Sequence, residues 1–141
     1  GYSPMRAYQQ SKLANLMLAF ELDRRLRAAG LPVVSVAAHP GVAQTPLFSK
    51  ADYGAVEKAA RGVLGRAIGL FLNSAAEGAL PTLYAATSPD AEAGGYYGPQ
   101  GLGEMRGRRI GPAQVAQQAR DEAAAAELWG RAESLTGVRY L

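Results

Sequence analysis

An α/β fold with a parallel sheet is what this sequence predicts, and three observations predict it. A long amphipathic segment over 5–29 is followed at once by a β-branched apolar run, "PVVSVAAHPG". That run shows no polar alternation, as expected for a strand buried on both faces of a parallel sheet. A second helix-forming segment then leads to "GGYYGP", a short strand or turn near 95–97 with a hard stop.

The first helix is read from Tyr8, Leu13, Leu16, Phe20 and Leu26, with Met17 and Leu22 widening the stripe. Ser3 is its N-cap and Pro4 its first helical residue. Gly30 ends it and Pro32 prevents its return, while Arg24, Arg25 and Arg27 suit the negative end of its dipole. Val33, Val34 and Val36 make the strand over 33–38, which His39, Pro40 and Gly41 terminate. Residues 55–69 could form one or two short helices, weakened by Gly62, Gly65 and Gly69. Ser74 and Glu77 have capping-box spacing at the start of "SAAEGALPTLYAAT", in which Pro81 predicts a kink or an adjusted turn. A last helix is expected over 119–135, with Leu128, Trp129 and Leu135 on its apolar side.

Composition narrows the function. The chain has 141 residues, enough for one domain, and is 48% hydrophobic and 19% charged, as in a globular protein. Its net charge of +3 is mild and scattered; outside the first helix the basic cluster is Arg106, Arg108 and Arg109, in a Gly-rich stretch that reads as a solvated loop. No aromatic interleaving points to nucleic acid. The absence of cysteine excludes disulfides, thiolate catalysis and cysteine-bound metals, and it is compatible with a reducing compartment. No apolar run reaches the length of a membrane span, and the first residues lack a signal-peptide layout. A cytoplasmic location is the expectation.

Two strands are too few for a stable sheet in water. The sequence therefore reads as the later part of an α/β domain whose earlier strands lie outside it.

The stretch "AYQQSK" carries the chemistry. Tyr8 and Lys12 stand four apart, so on a helix they project from one face. A phenol useful as a proton donor at neutral pH must ionise about 3 pH units earlier than a free one, a difference of roughly 4 kcal/mol. A cation within ~4–6 Å, in a partly dry site, supplies a good part of that. Such a pair is common on helices; its company gives it weight. One strand later comes "HPGVAQT". A Pro-Gly at the C-terminal edge of a parallel strand is where open α/β sheets bind ligands. Gly41 lets backbone approach closely, and Thr45 offers a hydroxyl.

Together, "YSPMRAYQQSKLANLMLAFELDRRL", "VSVAAHPGVAQTPL" and "AELWGRAESLTGV" resemble the C-terminal half of a short-chain dehydrogenase/reductase. The likeness is greatest to the retinol-dehydrogenase-like and protochlorophyllide-reductase-like branch. It covers most of the chain and is strongest over 1–48. It implies a Rossmann-like doubly wound parallel sheet, with residues 1–141 as the C-terminal part of one domain and the N-terminal dinucleotide-binding half missing. It also implies NAD or NADP as cofactor, with a small alcohol or carbonyl as substrate. Tyr8 would be the general acid/base, and Lys12 would bond the nicotinamide ribose and activate Tyr8. Pro40, Gly41, Val42 and Ala43 would wall the nicotinamide, and Thr45 would bond its carboxamide or a phosphate. Residues 46–72 would form the substrate lid.

The chain departs from the family pattern in lacking the Gly-rich phosphate loop, the serine expected about a dozen residues before the tyrosine, and the upstream asparagine. It carries half of an active site, and alone it is expected neither to hold a dinucleotide tightly nor to turn over substrate. A different reading makes it a non-catalytic helical module that pairs through helix 5–29, a surface that could also join two copies. His39, the only histidine, has no partners at metal-ligand spacing and reads as structural. Trp129 reads as a core anchor, Tyr96 and Tyr97 as packing residues, Met5 and Met17 as core filler, and Asp121 and Glu122 as the start of the last helix.

Overall fold

A computed structural model describes residues 2–42 and 73–141. The elements are α1 (Pro4–Ala28), β1 (Ala37–Ala38), α2 (Ala75–Thr87), β2 (Tyr96–Pro99), β3 (Ile110–Pro112) and α3 (Glu122–Thr136). Short 3₁₀ turns lie at Leu102–Glu104 and Gln117–Arg120. The chain divides into two units, one of Gly1–Ala37, Pro89–Tyr96 and Gln114–Leu141, the other of Ala38–Ser88 and Tyr97–Ala113.

The first unit is helical. Ser3 caps α1 by accepting a bond from the Arg6 amide, with Pro4 at the first position. At the other end Gly30 takes a left-handed φ of 65°, which reverses the chain at little steric cost. Met17, Ala119 and Ala125 form the buried centre, flanked by Leu13, Leu16, Phe20, Val115, Ala124 and Leu128. The small alanines on one side let the larger side chains of α1 pack closely. Trp129 is buried and anchored twice: its indole N–H donates to Glu133 at 2.9 Å, and the Arg25 guanidinium lies 4.9 Å from the ring centre.

Charge pairs stitch the end of α1. Arg24 and Arg25 both reach Glu21 at 2.7 Å, and Arg27 reaches the buried Asp23 at 2.6 Å. Burial pushes the Glu21 carboxyl up, but the bonds from Arg25 and Arg24 outweigh it and hold the group below its ordinary value. Asp23 also accepts from the Ser35 amide at 3.4 Å.

The second unit holds the antiparallel pair of β2 and β3, registered Tyr97 to Pro112 and Pro99 to Ile110. Pro112 lies on the edge strand β3, where a residue with no amide hydrogen is tolerated. The Ala37 amide donates to Gly95 and the His39 amide to Tyr97, so β1 runs parallel to β2 and the strand order is β1-β2-β3. A Cβ on Gly98 would collide with the His39 ring. The rings of Tyr84 and Tyr97 lie 5.1 Å apart at 50°.

Several expectations are corrected. The strand over 33–38 is formed only at Ala37–Ala38, and Val33 and Val34 are 55% and 62% exposed. Backbone bonds to the run begin only at Ser35, whose carbonyl accepts from the Gly94 amide, and continue with the Ala37 amide donating to Gly95. There are three strands among the described residues rather than two; the third, β3, is the three-residue run "IGP", too short to show a period. Met5 is 60% exposed and not core; Leu135 is 88% exposed and off the apolar side of the last helix. That helix begins three residues later than 119, because the Asp121 side chain accepts from the Ala124 amide and caps it there. Pro81 lies inside one unbroken helix with its ring buried. The expected helices over 55–69 lie outside the described residues.

Candidate functional site

The expected site residues fall into two groups, one in each unit. Tyr8 and Lys12 project together from the second and third turns of α1, and the Lys12 Nζ lies 5.4 Å from the centre of the Tyr8 ring. Tyr8 is 47% exposed. The Ser11 hydroxyl donates to the Tyr8 carbonyl at 2.7 Å, so it serves the helix backbone rather than the phenol. The ammonium thus lies over the face of an accessible aromatic ring.

The second group is the turn at the end of β1. Gly41 adopts a φ of 67°, and a Cβ there would drive into the Met105 carbonyl. The position is therefore closed to other residues by both conformation and space. The Gly41 amide donates to His39 Nδ1 at 3.3 Å, and His39 Nε2 lies 3.3 Å from Glu104. His39 thus shapes the turn, as a structural residue would. Pro40 and Val42 present apolar surface to solvent. Ala43, Thr45 and the lid segment 46–72 lie outside the described residues.

Sequence reasoning missed Asn73. Its side chain is 1% exposed and fully engaged: Nδ2 donates to Pro40 O at 2.9 Å and to Met105 O at 3.5 Å, and Oδ1 accepts from the Gly107 amide at 3.2 Å. Its own amide donates to Val42 O at 3.0 Å, and the Val42 amide donates to Met105 O at 2.7 Å. One buried amide therefore ties the Pro40–Val42 turn to the loop at 105–107. Leaving such groups buried without partners costs ~1–3 kcal/mol each. The one signal in the sequence was a lone amide side chain ending the apolar run "GLFLN" just before a helix cap.

Next to it Ser74 and Glu77 form the full capping box, and Glu77 pairs with Arg108 at 2.9 Å. The Ser74 amide, then Arg108, pull the Glu77 carboxyl down to about 2. Among the described residues no set of His, Asp and Glu is placed to hold a metal, and no helix is long and apolar enough to cross a membrane.

No family model matches the chain. It is 39% identical over 137 residues to mouse polyprenol dehydrogenase, covering 97% of this chain and 37% of that protein. Mouse retinol dehydrogenase 14 is 31% identical over 139 residues, again 97% of this chain and 37% of the relative. A short-chain dehydrogenase/reductase of Macrophomina phaseolina is 30% identical over 92% of this chain and 58% of its own length. Among solved structures, an uncharacterised protein from Mycobacterium paratuberculosis superposes with a TM-score of 0.70 at 36% identity, covering all of this chain and 42% of that one. The chain thus spans little more than a third of the length of the first two relatives, at 37% of each.

Proposed function

Because the chain belongs to the short-chain dehydrogenase/reductase family, we propose that it is the C-terminal portion of an oxidoreductase that moves hydride between NAD or NADP and an alcohol or carbonyl. The observation that carries this reading is the exposed Tyr8 phenol with the Lys12 ammonium 5.4 Å from its ring centre. In the oxidising direction the Tyr8 oxygen takes the hydroxyl proton of the alcohol; in the reducing direction it gives that proton to the carbonyl oxygen. Lys12 stabilises negative charge on that oxygen.

The exposed apolar turn at Pro40 and Val42 suits the flat face of a nicotinamide. On this reading Lys12 would bond the ribose hydroxyls, and Pro40 and Val42 would offer an apolar wall at a turn where Gly41 holds a left-handed backbone. The family pattern assigns Ala43 and Thr45 to the same wall. The bound cofactor supplies or accepts the hydride. Since relatives are named for polyprenol and retinol, the substrate class we propose is an apolar isoprenoid-like alcohol or its carbonyl. The test is an assay of the longer protein carrying this chain with each dinucleotide and a panel of isoprenoid alcohols. Dinucleotide reduction that tracks alcohol oxidation is expected; none with any alcohol would refute the reading.

A second reading draws on Met5 and Tyr8, 60% and 47% exposed on one stretch of α1. It makes α1 a non-catalytic pairing surface. A longer protein that is inactive with dinucleotides but dimerises, and loses the dimer on Met5→Glu, would favour it.

A further inference from the structure

We infer that Asn73 is a positioning residue for the cofactor-binding turn, an inference that rests on the reading above. The turn at Pro40–Val42 follows a strand of only two residues, so β1 itself fixes little of its geometry. Two of its backbone carbonyls are instead held by Asn73: Pro40 O by the side-chain amide at 2.9 Å and Val42 O by the main-chain amide at 3.0 Å. The same side chain accepts from the Gly107 amide and reaches Met105 O, the acceptor of the Val42 amide.

Every polar atom of a buried amide is thus spent on linking two backbone segments, each more than thirty residues from Asn73 in sequence. A side chain needed only to fill space at that point would be apolar, because burying an amide is costly unless all its bonds are made. Asparagine has the one geometry here that donates to two carbonyls and accepts from an amide at once. With it in place, the 105–107 loop and the turn move as one body, and the wall presented by Pro40 and Val42 has one shape. Without it, Gly41 and the glycine-rich loop have conformational freedom enough to blur that wall.

Removing the link weakens cofactor seating while leaving the Tyr8–Lys12 pair untouched. In the longer enzyme, Asn73→Ala is expected to raise the KM for the dinucleotide about tenfold with kcat within about twofold. Asn73→Ser keeps one donor and is expected to fall between the variant and wild type. Glu77→Ala is the control for general destabilisation: it breaks the neighbouring cap and ion pair but touches neither backbone segment, so it is expected to lower the melting temperature with an unchanged KM. A readout without mutation is amide exchange of the wild-type protein. Adding the dinucleotide is expected to slow exchange at Val42 and Gly107 together.

A dinucleotide KM equal to wild type in a folded Asn73→Ala enzyme would overturn the inference. So would protection that appears at Val42 and not at Gly107. A wild-type protein that binds no dinucleotide at all would instead refute the functional reading on which this one stands.

Discussion

The two units are held together by different physics. The helical unit depends on apolar side chains from α1 and α3 meeting around Met17, Ala119 and Ala125. Such contacts are non-directional and tolerate small shifts. The strand-and-turn unit depends at its functional end on directional bonds, the Asn73 amide and the Val42–Met105 bond, together with a left-handed Gly41. On the proposed reading this turn is a wall for a flat ligand, and such a wall needs one shape, which hydrogen bonds specify better than oily contacts do. A helix face that presents a phenol and an ammonium needs only to be a rigid helix.

Substitutions can sharpen or break this contrast. Trp129→Ala should cost the helical unit ~3–5 kcal/mol in denaturant unfolding, from lost burial and the loss of its bonds to Glu133 and Arg25. An effect below ~1 kcal/mol would mean that the ring is not a core anchor. Gly41→Ala should cost ~1–3 kcal/mol, by forcing a side chain into a left-handed backbone against the Met105 carbonyl. In the longer enzyme it should also raise the cofactor KM, which Trp129→Ala in a folded protein should not. Asp121→Ala should remove the cap of α3 at ~1 kcal/mol.

The smallest effect is a pH dependence. The folded Glu77 carboxyl sits at about 2 against an ordinary 4.5, so its contribution to stability is fully present above 4.5 and is lost as pH falls toward 2. Glu21 is lowered as well and acts in the same direction. Melting temperature followed against pH should fall less steeply through that window in Glu77→Gln than in wild type. Parallel curves would show that the capping box carries no such linkage.

The same contrast explains what the sequence disclosed. Helix α1 could be read because each of its signals is local: Ser3 and Pro4 at its start, Gly30 past its end, and an apolar stripe between them. The capping box of α2 is local too. Tyr8 and Lys12 were found because a helix turns four-residue spacing into contact. Strand β3 was missed because three residues, "IGP", have no periodicity to detect. The Val33–Val34 run was over-read because hydrophobicity says that a strand could be covered, not which backbone pairs with it. Asn73 shows in the sequence only as a lone amide before a helix cap: its bonds to Pro40, Met105 and Gly107 each cross more than thirty residues, and the neighbouring sequence does not encode those partners.

The most direct measurement is hydride transfer by Tyr8→Phe in the longer protein, with dinucleotide affinity determined in parallel. The ring and its contact with Lys12 remain, and only the exchangeable proton is lost. The expected result is a fall in kcat of about 10²–10⁴-fold with dinucleotide affinity within about twofold of wild type. Turnover equal to that of wild type would contradict the account at its centre.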